Sequence, residues 1–153
     1  WHHGDYCEKT INDGYIIYGR SDSTLNAGGV RIGTSEIYRV VENIDKIIEC
    51  VAVEYSLYTD TEVILFVKLN SNTILDDILI KNIKLEIRTN LSPKHIPSKI
   101  FEVSDIPKTK SGKIVELSIK NIINGMAIEN KNALANPDCL KEYQSIYYLL
   151  KEN

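Results

Sequence analysis

Gly19-Arg-Ser-Asp-Ser-Thr-Leu-Asn-Ala-Gly-Gly-Val-Arg-Ile-Gly-Thr34 concentrates four glycines and two arginines in one short stretch of a 153-residue chain. Gly19, Gly28, Gly29 and Gly33 supply permissive backbone at three separate points. Arg20 and Arg31 carry planar guanidinium forks suited to phosphates, carboxylates or ribose hydroxyls. A β-type run, Thr24 to Ala27, lies between Asp22 and Gly28-Gly29, and from Ile32 to Val41 the sequence turns helical. A plain hairpin needs one glycine and no arginine pair. Two readings therefore stand: a turn whose arginines are solvated, or a joint that carries ligand-facing groups.

Upstream of this stretch, Asp5 to Thr10 and Tyr15 to Tyr18 read as paired strands around Asn12-Asp13-Gly14, since Asp-Gly between β-formers favours a hairpin. Downstream, a helix is predicted from Thr34 or Ser35 to about Asn43, with Ile37, Val40, Val41 and Ile44 at helical spacing. Two β-rich runs, 46–55 and 62–69, follow around the polar turn Thr59-Asp60-Thr61. In the first, Ile47, Val51, Val53 and Tyr55 alternate with Ile48, Cys50 and Ala52, so both faces are apolar, as in a strand covered on two sides. A second helix over 75–90, with Thr73 and Asp76 as a capping pair, carries the stripe Leu79, Ile80, Ile83 and Ile87. Beyond Pro93 and Pro97 come a third strand over 99–103, a loop from Asp105 to Lys113, and a helix over 116–123 ended by Gly125. A polar connector leads to Asn136-Pro137-Asp138, which starts a last helix with Leu140, Tyr143, Tyr147 and Leu150 on one side. The order helix, two strands, helix, strand, helix predicts an α+β fold, a small three-stranded sheet with packed helices.

Composition narrows the function classes. Hydrophobic content of 43% and charged content of 25% are ordinary for a globular protein, and the length suits one modest domain with an appendage. A net charge of −3 with dispersed lysines argues against a nucleic-acid partner. Apolar runs such as Val63 to Val67 are too short to span a bilayer, and no secretory segment is visible, so a cytoplasmic protein without a membrane partner is expected. Cys7, Cys50 and Cys139 fit no zinc or redox spacing and read as reduced thiols. With His2 and His3 adjacent and His95 far away, no metal site is expected. The chain opens on Trp1 and its single methionine is Met126, so a piece of a longer protein is expected.

The second stretch with chemical content is Pro107-Lys-Thr-Lys-Ser-Gly-Lys113. Pro107 stiffens its approach, Ser111-Gly112 frees its tip, and Lys113 places a compact charge on a long stem, suited to anionic oxygens that shift during a reaction. It lacks the spacing of a phosphate-binding P-loop, and by itself it also reads as a solvated turn.

Together the two stretches resemble the hinge and the catalytic-lysine motif of the acyl-adenylate-forming enzymes, the superfamily of acyl-CoA synthetases, peptide-synthetase adenylation domains and luciferases. The resemblance covers nearly the whole chain. It implies that the fold is that family's C-terminal lid domain, preceded by a β-hairpin belonging to a larger, missing N-terminal domain. The implied division is 1–21 for the hairpin and hinge approach, 22–124 for the lid, and 125–153 for a C-terminal extension. By resemblance Lys113 bridges the attacking carboxylate and the α-phosphate during adenylation, and Asp22 is the hinge about which the lid rotates. Gly28 and Gly29 line the thiol path, Arg31 meets the nucleotide phosphate, Arg88 meets the CoA phosphate, and Asp5 and Arg20 approach the ATP ribose. Without the family, Asp5 is a turn acid and Arg88 an exposed helix arginine.

Gly28-Gly29-Val30, Leu91-Ser-Pro-Lys-His-Ile-Pro97, Gly112-Lys-Ile-Val-Glu116 and the tail Asn132-Ala-Leu-Ala-Asn-Pro-Asp-Cys-Leu140 are similar to the branch that activates acetoacetate. Tyr6 departs from the tryptophan expected there. The implied cofactors and substrates are ATP/AMP, coenzyme A and magnesium, the last bound mainly by the missing domain. An acetyl- or propionyl-directed ligase is one alternative. Another is a free-standing module that binds a nucleotide, CoA or a protein without catalysis. An upstream Thr/Ser/Gly-rich phosphate loop distinguishes the ligase.

Overall fold

The computed structural model describes residues 5–20, 24–27, 29–57, 60–128 and 131–152. Two short antiparallel ribbons come first: β1 (Asp5–Lys9) with β2 (Tyr15–Arg20), and β3 (Leu25–Ala27) with β4 (Val30–Ile32). The main body follows as α1 (Thr34–Val41), β5 (Ile47–Leu57), β6 (Asp60–Leu69), α2 (Asp77–Asn90), β7 (Lys99–Glu102), α3 (Glu116–Ile123) and α4 (Leu140–Lys151). The predicted three-stranded sheet is present, in the order β5-β6-β7. β5 and β6 are antiparallel, whereas β7 runs parallel to β6, which requires a crossover; α2 supplies it.

Both faces of the sheet are buried, as the apolar runs imply. Cys50 and Ala52 of β5 and Val63, Leu65 and Val67 of β6 pack with Ile37, Val41, Leu79, Ile83 and Ile87 from α1 and α2. Val51, Val53, Ile64 and Phe66 face the other way, into a core closed by Ile119 and Ile123 of α3 and Tyr143 and Leu150 of α4. Phe66 lies 4.9 Å from Tyr143 and 5.9 Å from Phe101, ring centre to ring centre. Aromatic contacts of this kind add to the area term for burial.

Several local expectations are corrected. Ile32 belongs to a strand and not to the helical run: Ala27 pairs with Val30 and Leu25 with Ile32, while α1 begins at Thr34, one of the two predicted starts. Asp76 alone caps α2, its carboxylate accepting the Leu79 N–H at 2.7 Å, so the helix starts two residues later than the Thr73–Asp76 pair implies. A register shift between Ile47 and Glu49 puts Ile47 on the Cys50 side and leaves Ile48 exposed. In α4 the core position falls to Ile146, and Tyr147 is half-buried.

The β1–β2 turn also differs in detail. Thr10 N–H donates to the Gly14 carbonyl and Asp13 N–H to the Thr10 carbonyl, and the left-handed residue is Asp13, at φ 57°, not Gly14. Short acidic and amide side chains tolerate that conformation. Among the described residues β1 and β2 pair only with each other. A lone two-stranded ribbon is marginal in water. Amides of residues 5–18 are therefore expected to exchange with solvent well ahead of those in β5 and β6, as read by native-state hydrogen exchange of the 153-residue chain. Equal protection of the two regions would show that the ribbon is firmly held.

Candidate functional site

The lysine loop is built on the end of β7. Val103 extends the ladder by donating to the Val67 carbonyl, and buried Ile106 turns the chain toward α3 and α4. Thr109 and Lys113 then close a tight turn: Thr109 N–H donates to the Lys113 carbonyl at 2.8 Å and Gly112 N–H to the Thr109 carbonyl at 2.9 Å. The Thr109 hydroxyl oxygen accepts the Lys113 N–H at 3.1 Å. Gly112 sits at φ +84°, a conformation that strains any L side chain. The backbone of Lys113 is thus fixed while its side chain is exposed, with no hydrogen bond or ion pair to another described residue.

The neighbouring lysines do structural work. Lys108 is paired with Glu49 at 2.8 Å, and the hydrogen bond its ammonium donates to that carboxylate raises its pKa. Lys68 is paired with Asp105 at 2.7 Å. Burial by itself raises the Asp105 carboxyl, but its hydrogen bonds from Lys68 and Asn136 outweigh that and hold it below its ordinary value. Of the cations around the loop, Lys110 at its tip and Lys113 at its end are exposed and unpaired among the described residues, and Lys113 is the one whose backbone the turn fixes.

The glycine ribbon is the second feature. Ala27 pairs with Val30, so Gly29 lies at the tip, at φ +79° with no atom within 4 Å of the place a Cβ would take. Leu25 and Ile32 are buried roots of the ribbon. Strand alternation therefore turns Arg31 away from the core, and it is exposed. The ribbon is tied down at Asn26, whose N–H donates to Glu54 and whose carbonyl accepts from the Thr61 hydroxyl at 2.7 Å. Glu54 is in turn held by Lys120 of α3 at 2.6 Å.

Arg88 lies in the last turn of α2, exposed, while Leu79, Ile83 and Ile87 face inward. Gly29, Arg31 and Arg88 thus belong to elements rooted on the α1/α2 side of the sheet, and Lys113 to a loop rooted on the α3/α4 side. The backbones of Asp5 and Arg20 are register partners at the open end of the first ribbon. Asp22 and Gly28 lie outside the described residues.

Three supporting groups escaped the sequence reading. The Tyr38 hydroxyl donates to Glu116 at 2.5 Å and accepts the Ala52 N–H at 3.2 Å. Burial, reinforced by the Glu116 charge, pushes the Tyr38 phenol well above its ordinary value, so it stays a neutral donor that pins the start of α3. Glu54 anchors the ribbon, and Asn136 bonds to the lysine loop. His95, noted in the sequence as the isolated histidine, bridges Ser92 at 2.8 Å and Glu36 at 3.2 Å and so ties the segment after α2 to α1.

The three cysteines are free thiols; Cys50 is pushed up by burial and Cys139 up to about 11, chiefly by burial. Neither buried thiol is a nucleophile at neutral pH. Among the described residues no group of three or more His, Cys, Asp or Glu side chains is placed to hold a metal ion. No helix among them is long and apolar enough to cross a membrane.

A small mixed sheet between two helix layers, carrying a glycine-tipped ribbon and a free lysine on a braced loop, has the architecture of the C-terminal domain of acyl-CoA synthetases. Residues 36–113 match the family model of the AMP-binding enzyme C-terminal domain, and the chain belongs to that family. It is 49% identical over 140 residues to the acetoacetyl-coenzyme A synthetase of Rhizobium meliloti (strain 1021), covering 92% of this chain and 22% of that protein. It is 43% identical over 148 residues to the acetoacetyl-CoA synthetase of Gallus gallus, covering 95% and 22%. In structure it is similar to the acetoacetyl-CoA synthetase from Streptomyces lividans, with a TM-score of 0.86 and 36% identity, over 97% of this chain and 22% of that one. The chain therefore spans 22% of the length of these relatives.

Proposed function

We propose that the chain is the lid portion of an acid–thiol ligase that converts ATP, acetoacetate and CoA to AMP, pyrophosphate and acetoacetyl-CoA. The observation that carries this reading is its identity to acetoacetyl-CoA synthetases along nearly the whole chain, well past residue 113 where the family model ends. In this reading 1–21 closes the preceding adenylation domain, 22–124 is the lid, and 125–153 is an extension. The free thiols fit a reducing, cytoplasmic setting.

In the first step a carboxylate oxygen of acetoacetate attacks the α-phosphorus of ATP and pyrophosphate leaves. Lys113 would lie against the charge that builds between carboxylate and α-phosphate, a task of neutralisation and not of proton transfer. Asp5 and Arg20 would hold the ribose, and Arg31 the nucleotide phosphate. The lid would then turn about Asp22. In the second step the CoA sulfur attacks the adenylate carbonyl carbon, the thiol proton passes to solvent, the C–O bond to AMP breaks, and the thioester forms. Gly28-Gly29 would leave a lane for the pantetheine arm beside the backbone, and Arg88 would meet a CoA phosphate. Magnesium, in this reading, would be held mainly by the preceding domain together with the nucleotide.

The test is ATP–pyrophosphate exchange with the full-length protein. Acetoacetate is expected to support exchange far better than acetate or propionate, and the 153-residue chain alone is expected to support none. Preference for acetate overturns the acetoacetate assignment. Robust exchange by the short chain overturns the division of labour between the two domains.

A further inference from the structure

We propose that residues 131–151 brace the lysine loop and that Asn136 is a positioning residue for Lys113, a proposal that rests on Lys113 acting in adenylation. The limb of the loop that leads to Lys113 has a backbone partner on each side. On one side Lys108 pairs with Ile114, Thr109 bonds to Lys113, and Val115 N–H donates to the Pro107 carbonyl. On the other side Thr109 pairs with Leu134, and Ala135 N–H donates to the Lys108 carbonyl at 2.8 Å. The limb is therefore the middle strand of a small three-stranded patch whose outer strand comes from the extension.

Asn136 locks that outer strand in place. Its side-chain oxygen accepts the Lys108 N–H at 2.9 Å, and its side-chain nitrogen donates to the Ile106 carbonyl at 2.8 Å and to the Asp105 carboxylate at 2.5 Å. The Tyr143 hydroxyl of α4 adds a bond to the Asp105 carbonyl at 3.0 Å. Every polar atom of the Asn136 amide is thus spent on 105–108, and none caps the helix that follows. Remove this outer strand and the limb becomes half of a lone hairpin, which is marginal in water.

That matters because a lysine side chain is flexible and its reach is set by its backbone. Charge stabilisation of a transition state needs the charge within about 0.5 Å of its productive place. Misplacement of about 1 Å by a change remote from the chemistry can cost on the order of 100-fold. Asn136 touches no reacting atom in this account; it acts through the Lys108–Thr109 backbone.

The experiment uses the full-length enzyme and measures the two half-reactions separately, as acetoacetate-dependent ATP–pyrophosphate exchange and as thioester formation from supplied acetoacetyl-adenylate. Asn136→Ala is expected to lower the exchange kcat by about tenfold or more, with the KM for ATP and the thioester step unchanged. In a Lys113→Ala background the same change is expected to add no further loss, because its effect runs through Lys113. Ala135→Pro, which deletes the exposed Ala135 N–H donor, is expected to act in the same direction and serves if Asn136→Ala does not fold. Equal losses in both half-reactions, a further loss on top of Lys113→Ala, or failure of both variants to fold makes the segment a requirement of the fold and overturns the proposal. An unchanged exchange rate in Asn136→Ala beside a crippled Lys113→Ala overturns the brace alone. A silent Lys113→Ala overturns the role of the lysine itself.

Discussion

In the full-length enzyme, Lys113→Ala is expected to slow acetoacetate-dependent ATP–pyrophosphate exchange by about 100-fold or more and to leave thioester formation from supplied acetoacetyl-adenylate near its original rate. A factor of 100 corresponds to about 2.7 kcal/mol of transition-state stabilisation, within the range of a preorganised charge opposite a developing anion. The change should not disturb the fold, because Lys113 is exposed and its side chain bonds to no described residue. Surface substitutions of that kind stay within about 0.5 kcal/mol of neutral. Lys108→Ala is the informative contrast. Its ammonium is tied to Glu49, so a loss there reports on loop anchoring. If Lys113→Ala leaves exchange untouched, the loop is a solvated turn and the proposed adenylation role is wrong.

Gly29→Leu is expected to do the reverse, sparing exchange and abolishing thioester formation. Two costs have to be separated. At φ +79° any L side chain strains the backbone by about 1–2 kcal/mol, within what a folded domain absorbs. Bulk is the other cost, and at the Cβ position it is nil within the described chain, because nothing lies within 4 Å of it. Gly29→Ala carries the same strain with little bulk, so a loss in the leucine variant beyond the alanine one measures the bulk past the Cβ. The readout is the rate of thioester release from preformed adenylate at saturating CoA. Were the alanine and leucine variants equally active in that step, no thiol path would run past Gly29. If Lys113→Ala and Gly29→Leu both lose both half-reactions equally, the assignment of separate faces to separate steps fails.

How far the sequence speaks depends on the range of the interaction. The main strands and helices were legible because their apolar spacing is local and glycine or proline punctuates them; α3 falls on Glu116–Ile123, as its periodicity indicates. β4 was not legible. Its three residues, Val30-Arg31-Ile32, are too few to show an alternation of their own, and only pairing across the glycine tip makes them a strand. The shift at Ile47 was hidden for a similar reason, since a bulge changes which side chain faces inward without changing the sequence pattern. For the candidate site, the glycine tip and Lys113 were visible as residue types with few ordinary uses. Asn136 was not, because its partners are mostly main-chain groups of 105–108, and main-chain groups leave no mark in a sequence. Tyr38 was hidden by range, because its hydroxyl meets Glu116 and the Ala52 N–H, 78 and 14 residues away along the chain.

Leu25 and Ile32 root the glycine tip in the core beneath α1 and α2, whereas Ile106 and Ile114 root the lysine loop in the core beneath α3 and α4. A sheet with both faces filled cannot show both sides to one catalytic centre at once. If each serves the same adenylate in its own step, as proposed, the lid would present one face and then the other, and the layering would set the order of the reaction. A thiol that arrives while the lysine is docked finds its lane turned away. An adenylate already made has lost its cation by the time that lane opens. Each catalytic cycle then needs two swings of the lid, one to exchange tools and one to reset, and motions of this size take microseconds to milliseconds. The round trip then sets an upper bound that turnover cannot exceed, however fast the two chemical steps become.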